Sequence, residues 1–331
     1  MHMDIFNDDA FSVVSLTKAI EDTPFVPGRV GQLGIFSEEG VSTTSISIEK
    51  IGSTVSLVPA ASRGSSGRPM GNDKRQMIPF TATHLPQRAS ILADEVQNLR
   101  AFGSETEVET AQRLMNRKLA KMRRDLDTTI EYQRIGAIKG SILDSDGTTE
   151  LLNLHTACGS SVTAHSLVRG TAGTLVRNKV IEARRKMEAA LGGLTYSGAR
   201  VLCSASFFDA LVGHAKVEAA FDRYMNGEFL REDQRGGFYF AGVFWEEYRG
   251  QVGATKFIAD GEAWMVPEGV PDLFVTNYAP ADYMETVNTL GQAYYAKQEP
   301  KDFGKGIDVE TQSNPIHICT RPAVPVKLLA A

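Results

Sequence analysis

The chain has 331 residues, 42% of them hydrophobic and 23% charged, with a formal net charge of −5, enough apolar content for one large core or two smaller ones and no overall drive toward nucleic acid or membrane. Its three widely separated cysteines, Cys158, Cys203 and Cys319, make no disulfide framework and point to a reducing compartment. The acidic start (Asp4, Asp8, Asp9) carries no secretory h-region and no apolar run approaches a membrane span, so the expectation is a soluble protein, intracellular when made.

Residues 1–39 read as an arm. Pro24, Pro27, Gly28 and Gly31 interleave with Phe25 and Val26, and neither helix nor central strand persists through such a mixture. A short helix is expected around Phe11–Ile20. From Val41 to Val58 the period is two. Ile46 and Ile48 alternate with Ser45, Ser47 and Glu49, and Val55 and Leu57 with Thr54 and Ser56, with Gly52 and Ser53 between. That predicts a hairpin of two polar-faced strands. The Gly/Ser-rich run from Arg63 to Arg75 cannot bury enough apolar area to offset chain entropy. Ile78, Phe80 and Ala82 alternate back, and Pro86 is expected to stop that strand. The whole of 40–86 therefore reads as an extended β-ribbon. Segments of this kind are uncommon inside compact domains, and one like this gains its burial from a neighbouring molecule. Its tip carries Arg63, Arg68, Lys74 and Arg75 against one acid, Asp73. An acidic patch on a partner and simple solubility account for those charges equally well.

A short helical piece is expected at Ala93–Phe102, then the longest periodic element. Ser104 and Glu107 have capping-box spacing, and Glu105, Glu107 and Glu109 suit the positive end of a helix dipole. Val108, Ala111, Met115, Leu119, Met122, Leu126 and Ile130 follow at steps of three or four, one apolar stripe that Gly136 and Gly140 are expected to close. The opposite face carries Arg113, Arg117, Lys118, Lys121, Arg123 and Arg124. A solvated face is the plain reading. Phosphate binding is the other, and the acidic first turn and negative net charge weigh against it. Two short strands are expected at Ile135–Leu143 and Thr148–His155, turned by Asp144 to Gly147. From Gly170 the pattern alternates: helix Leu175–Leu191, buried strand Arg200–Cys203, helix Phe207–Val217, strands Phe238–Glu246 and Lys256–Val266. This is a mixed α/β region. The tail, Ile307–Lys327, returns to strand-like alternation, with Pro315, Pro322 and Pro325 restricting it to edges or ends.

Active-site grammar is missing: there is no P-loop, nucleophile elbow, His-Glu-x-x-His or Cys-x-x-Cys. Gly28, Gly31 and Gly34 have the wrong spacing for a dinucleotide turn. His155 and Cys158 form one His-x-x-Cys pair where zinc wants four ligands, so they read as ordinary strand-end residues. Asp144-Ser-Asp-Gly147 resembles the start of a calcium loop but lacks the acid at its twelfth position, and reads as a hairpin turn. Cys203, before Ser204 and Ser206, has no base that the sequence identifies and reads as a small apolar residue ending a buried strand. No catalytic, cofactor-binding or metal residue is expected, and no cofactor.

Several strings then occur in a telling order. They are Leu57-Val-Pro, Arg63-Gly with the basic stretch to Lys74-Arg75, Thr83-His-Leu-Pro and Ala93-Asp-Glu-Val-Gln. Later come Tyr278-Ala-Pro-Ala-Asp-Tyr-Met-Glu-Thr-Val-Asn-Thr, Gln312-Ser-Asn-Pro and Cys319-Thr-Arg-Pro. Over nearly the whole chain they resemble the lambda-type phage major capsid proteins, the major capsid protein E family, and the organisation resembles the HK97-type capsid fold. The resemblance implies an α+β fold: an N-terminal arm at 1–39, an extended β-hairpin E-loop at 40–86, and a P-domain at 87–167 with spine helix 104–135 and a hairpin. A mixed α/β A-domain would fill 168–292, and 293–331 would return strands to the P-domain. It implies self-assembly into hexamers and pentamers of an icosahedral shell enclosing double-stranded DNA by non-specific contact, built in the host bacterial cytoplasm as a procapsid and ending in the virion capsid of a tailed bacteriophage. Scaffolding protein, portal and a decoration protein are the implied partners; a membrane is not. Arg63, Arg68, Lys74 and Arg75 would make intersubunit contacts. Some relatives form Lys–Asn crosslinks, but nothing around Lys50 or Lys74 identifies a pair. An encapsulin-like nanocompartment is the same-fold alternative. From other classes stand a soluble hydrolase using Cys203 or a histidine, and a DNA-binding protein using the basic face of Arg113, Arg117, Lys118, Lys121 and Arg124.

Overall fold

The computed structural model describes residues 12–21, 28–51, 75–97, 107–168, 173–225 and 234–329. The first described elements are two short helices, α1 (Val13–Glu21) and α2 (Arg29–Leu33). The Ser12 hydroxyl accepts from the Ser15 amide at 3.2 Å and starts the first; Gly34, at φ 60°, ends the second. Strands β1 (Ser37–Gly40), β2 (Ser45–Ile51), β3 (Arg75–Thr81) and β4 (Leu85–Leu92) lead to α3 (Ala93–Gln97) and the 33-residue α4 (Glu107–Lys139). Then come β5 (Ser141–Leu143), β6 (Glu150–Asn153), α5 (Leu154–Cys158), β7 (Thr163–Ser166), α6 (Val176–Leu191), β8 (Gly198–Cys203), α7 (Ala205–Val212) and α8 (Ala215–Met225). The remainder is β9 (Phe238–Phe240), β10 (Val243–Glu247), β11 (Gln251–Val252), β12 (Thr255–Lys256), β13 (Glu262–Glu268), β14 (Phe274–Tyr278), β15 (Tyr295–Pro300), β16 (Gly306–Ser313), β17 (Pro315–Cys319) and β18 (Val326–Leu329).

The chain divides into two units. The first holds Met1–Ile46, Thr81–Tyr132 and Val275–His317. Its core forms where the stripe of α4 (Leu114, Met115, Leu119, Leu126, Ile130) meets Leu16 and Ile20 of α1 and Ala296, Ile307 and Val309 of an antiparallel sheet ordered β15-β16-β4. Burying each leucine, isoleucine, valine or methionine of this set contributes roughly 1.5–3 kcal/mol. A second small sheet, β1-β14-β17, pairs β1 parallel to β14.

The second unit holds Ser47–Phe80, Gln133–Phe274 and Ile318–Ala331. It is built on a mixed six-stranded sheet ordered β7-β18-β13-β8-β10-β9. β13 runs antiparallel to both β8 and β18, while β8 and β10 are parallel. The central strands bury successive residues, Val201 to Cys203 and Ala263 to Val266. Burial on both faces is why they read as unbroken apolar runs. α6 buries Val176, Val180, Ala183, Met187 and Leu191, a stripe at helical spacing.

Several elements differ from expectation. α4 runs through Gly136 to Lys139 and ends at Gly140, φ 82°. Gly136 is a close-approach residue instead: a Cβ there would lie 2.9 Å from the Ser141 carbonyl oxygen. Ile135 to Lys139 is thus helix, and His155 and Cys158 sit on α5, whose N-cap is Asn153, its side chain accepting from the Thr156 amide at 2.8 Å. Phe207–Val217 is two helices, parted at Gly213 and His214. Phe238–Glu246 is two antiparallel strands joined by Ala241 and Gly242, both at positive φ. Lys256–Val266 is β12 and β13 with an interruption. Pro86 does not stop a strand: it lies within β4, opposite Gln312. β4 is an edge strand, where a missing N–H is tolerated.

Candidate assembly surfaces

The predicted ribbon is partly described. β2 pairs with β3 in a two-stranded sheet, and Ile78 and Phe80 are buried while Met77 is exposed. The expected strand at Val55 and Leu57 lies outside the described residues, as do Ser104, Arg63, Arg68 and Lys74. Arg75 is the first residue of β3. The root of the ribbon is closely fitted. The Val41 amide donates to Tyr278 and the Val41 carbonyl accepts from Gly291, both at 2.9 Å. A Cβ on Gly291 would fall 1.9 Å from the Tyr278 carbonyl oxygen, and one on Gly40 would fall 2.3 Å from that of Gly291. Two backbones pack there with no room for side chains.

The basic face of α4 is present but not uniform. Arg113, Arg117, Lys121 and Arg124 are exposed; Lys118 is half-buried and donates to Glu95 at 3.0 Å. The Arg124 Nε bonds its own helix at the Ala120 carbonyl, 3.3 Å away. Arg123 does not belong to this face. It is buried, donates to the Ile20 carbonyl at the end of α1, stands 4.3 Å from the centre of the Tyr294 ring and lies 3.7 Å from Asp127. Tyr294 donates to Asp127 at 2.5 Å, and burial followed by that carboxylate pushes its hydroxyl pKa up. One turn further along α4, buried Glu131 accepts from the Val30 amide at 2.7 Å and the Gly31 amide at 3.2 Å. The spine therefore presents a cation to the carbonyl end of α1 and an anion to the amide end of α2, each matched to the local dipole. Sequence reading missed this pair because charges spaced along a helix look like a solvated face.

None of the three cysteines forms a disulfide. Cys203 and Cys319 are buried, and burial pushes the Cys319 thiol up to about 12. His155 Nδ1 lies 3.1 Å from Ser160 Oγ, its ring filling the space a Gly140 Cβ would need. Asp146 accepts from the Thr149 hydroxyl at 2.6 Å and from the Thr148 and Thr149 amides at 2.8 Å, which hold its carboxyl well below the usual range and shape the turn. Among the described residues, no group of three or more His, Cys, Asp or Glu is placed to hold a metal, and no helix is long and apolar enough to cross a membrane.

The long helix and the rooted ribbon, with a mixed sheet built from distant segments, define a class. This is the HK97-type capsid fold. The chain is similar to the capsid of Myoviridae Phage XM1 at TM-score 0.53, with 12% identity over 93% of both chains. It is similar to the capsid of the native GTA particle at TM-score 0.53, with 13% identity over 94% of this chain and 93% of that one. The Phage major capsid protein E family matches residues 12–330, and the chain belongs to that family. It is 29% identical to the major capsid protein of Pseudomonas phage KPP10, over 97% of both chains. It is 26% identical to that of Salmonella phage Felix O1, over 97% of this chain and 96% of the relative. The chain is a structural major capsid protein of the tailed-phage type.

Proposed function

We propose that copies of this chain assemble into hexamers and pentamers of an icosahedral shell enclosing double-stranded DNA. The observation that carries this reading is membership of the capsid family across residues 12–330. In this reading 1–39 is the N-arm and 40–86 the E-loop lying over an adjacent subunit. Residues 87–167 are the P-domain, 168–292 the A-domain at the capsomer axis and 293–331 the returning strands. Arg63, Arg68, Lys74 and Arg75 contact the neighbouring copy. The outer set on α4, with Arg113, Arg117, Lys118, Lys121 and Arg124, is a solvated face that makes at most non-specific contact with packaged DNA. The chain's work is association, not catalysis. Assembly takes place in the host bacterial cytoplasm with scaffolding protein and portal, and a decoration protein is a further partner of the finished shell.

Analytical ultracentrifugation tests it. The expected result is a shift of the 36.0 kDa chain into capsomer-sized and shell-sized species as concentration rises. A stable monomer at every concentration overturns the reading. Steeply salt-dependent duplex binding by that monomer would favour the DNA-binding alternative.

A further inference from the structure

Strand β7 is an edge of the six-stranded sheet. Among the described residues it pairs on one side only, parallel to β18, from Thr163 opposite Val326 to Ser166 opposite Leu329. It is further held by the Thr163 hydroxyl, which donates to the Ala323 carbonyl at 2.6 Å, and by Lys186 Nζ of α6, which donates to the Ala164 carbonyl at 2.9 Å. An edge strand held this way belongs to the low end of local stability. In its middle, His165 is only 9% exposed and packs toward α6. Its Nε2 stands 3.6 Å from Glu182 Oε2, beyond hydrogen-bond reach, and has no partner among the described residues. That carboxylate is already held by Lys179 at 2.8 Å. α6 thus presents two ammonium groups, Lys179 and Lys186, and one engaged carboxylate to the ring. From β18, Leu328 lies beside His165, while Lys327 is on the other face and pairs with Glu262 at 2.5 Å. A neutral imidazole suits this site and an imidazolium does not. Burial first, then Lys186, hold the His165 pKa below its ordinary 6.5; Glu182 opposes them, Lys179 adds to them and the Lys179 carbonyl opposes them.

We propose that β7 is an acid-released edge strand and that His165 is its latch. The inference concerns this sheet alone and is independent of the shell reading. With the imidazole neutral the strand stays docked. Once protonated, the ring is a buried charge beside two ammonium groups and a carboxylate already engaged. It reaches water only when β7 lifts away from α6. β18 then becomes the sheet edge, its outer backbone groups open to another strand. By linkage, a docked-state pKa below the open-state one means that the open state binds the proton more tightly. Docking is therefore complete above 6.5 and weakens as pH falls below it.

Amide hydrogen exchange of the full chain at pH 7.5 and 5.5, expressed as protection factors corrected for the intrinsic rate, tests the latch. Protection of 163–167 is expected to fall severalfold at the lower pH, with a ceiling of about tenfold because 5.5 lies one unit below 6.5. Protection of the central strand β8 stays the same. His165→Gln cannot take up the proton and removes the fall. Glu182→Gln changes an exposed side chain, deletes the one carboxylate that favours the charged ring, and makes the fall at least as deep. Equal protection of 163–167 at the two pH values in the wild type overturns the latch. So does an undiminished fall in the His165→Gln chain, or a shallower one in the Glu182→Gln chain.

Discussion

Arg123 and Glu131 lie about two turns apart on α4 and hold opposite ends of two different helices. Arg123 caps the carbonyl end of α1 and Glu131 the amide end of α2. Both are buried, so each depends on its partners for compensation. Removing Asp127 leaves the Arg123 guanidinium without its nearby anion. Asp127→Ala is therefore expected to destabilise the unassembled chain by about 3–5 kcal/mol, measured by urea unfolding. Asp308 offers a pH test. Hydrogen bonding from Ser90, then from Lys301 and Arg88, holds its carboxyl below the ordinary value of 3.8. A depressed folded pKa gives stability that is present above 3.8 and lost as pH falls toward the folded value. Tm of the wild type is thus expected to drop more steeply than that of Asp308→Asn as pH is lowered through 3.8. Parallel curves would remove Asp308 from the account. None of these roles was legible in the sequence. Spacing identifies which face of a helix is apolar, but a buried cation and a solvated one have the same letter.

The stripe of α4 was legible because Met115 to Ile130 repeat at helical spacing regardless of context, and the structure buries them all. The end of the helix was not. Gly136 reads as a stop, yet it lies inside the helix because β5 folds back against it. The break between β9 and β10 was hidden for a related reason: Ala241 adopts positive φ, which no turn rule assigns to alanine. Pro86 was misjudged because edge position is a property of the sheet, not of the residue. Alternation made β2 and β3 legible as strands, whereas their pairing with each other was not, since they stand far apart in sequence. The prediction at this scale concerns the ribbon alone. Arg63→Glu, Arg68→Glu and Arg75→Glu together are expected to leave the monomer's circular dichroism and Tm unchanged while stopping assembly. Normal shells from this chain would show that the tip charges serve solubility only.

At the scale of the molecule, two units are assembled from segments far apart in sequence, and strands from the end of the chain enter the sheets of both. Such non-local pairing was visible only through resemblance to a family, since periodicity says which residues alternate and not which strands meet. Family membership then supplies what the absence of active-site grammar could not: a positive account of a chain whose surfaces work by meeting copies of themselves. Electron microscopy of the purified, concentrated wild-type chain tests that account most directly. The account predicts closed icosahedral shells whose hexamers and pentamers carry each subunit's ribbon across its neighbour. A field of isolated monomers, or closed particles in which every ribbon lies on its own subunit, would contradict it.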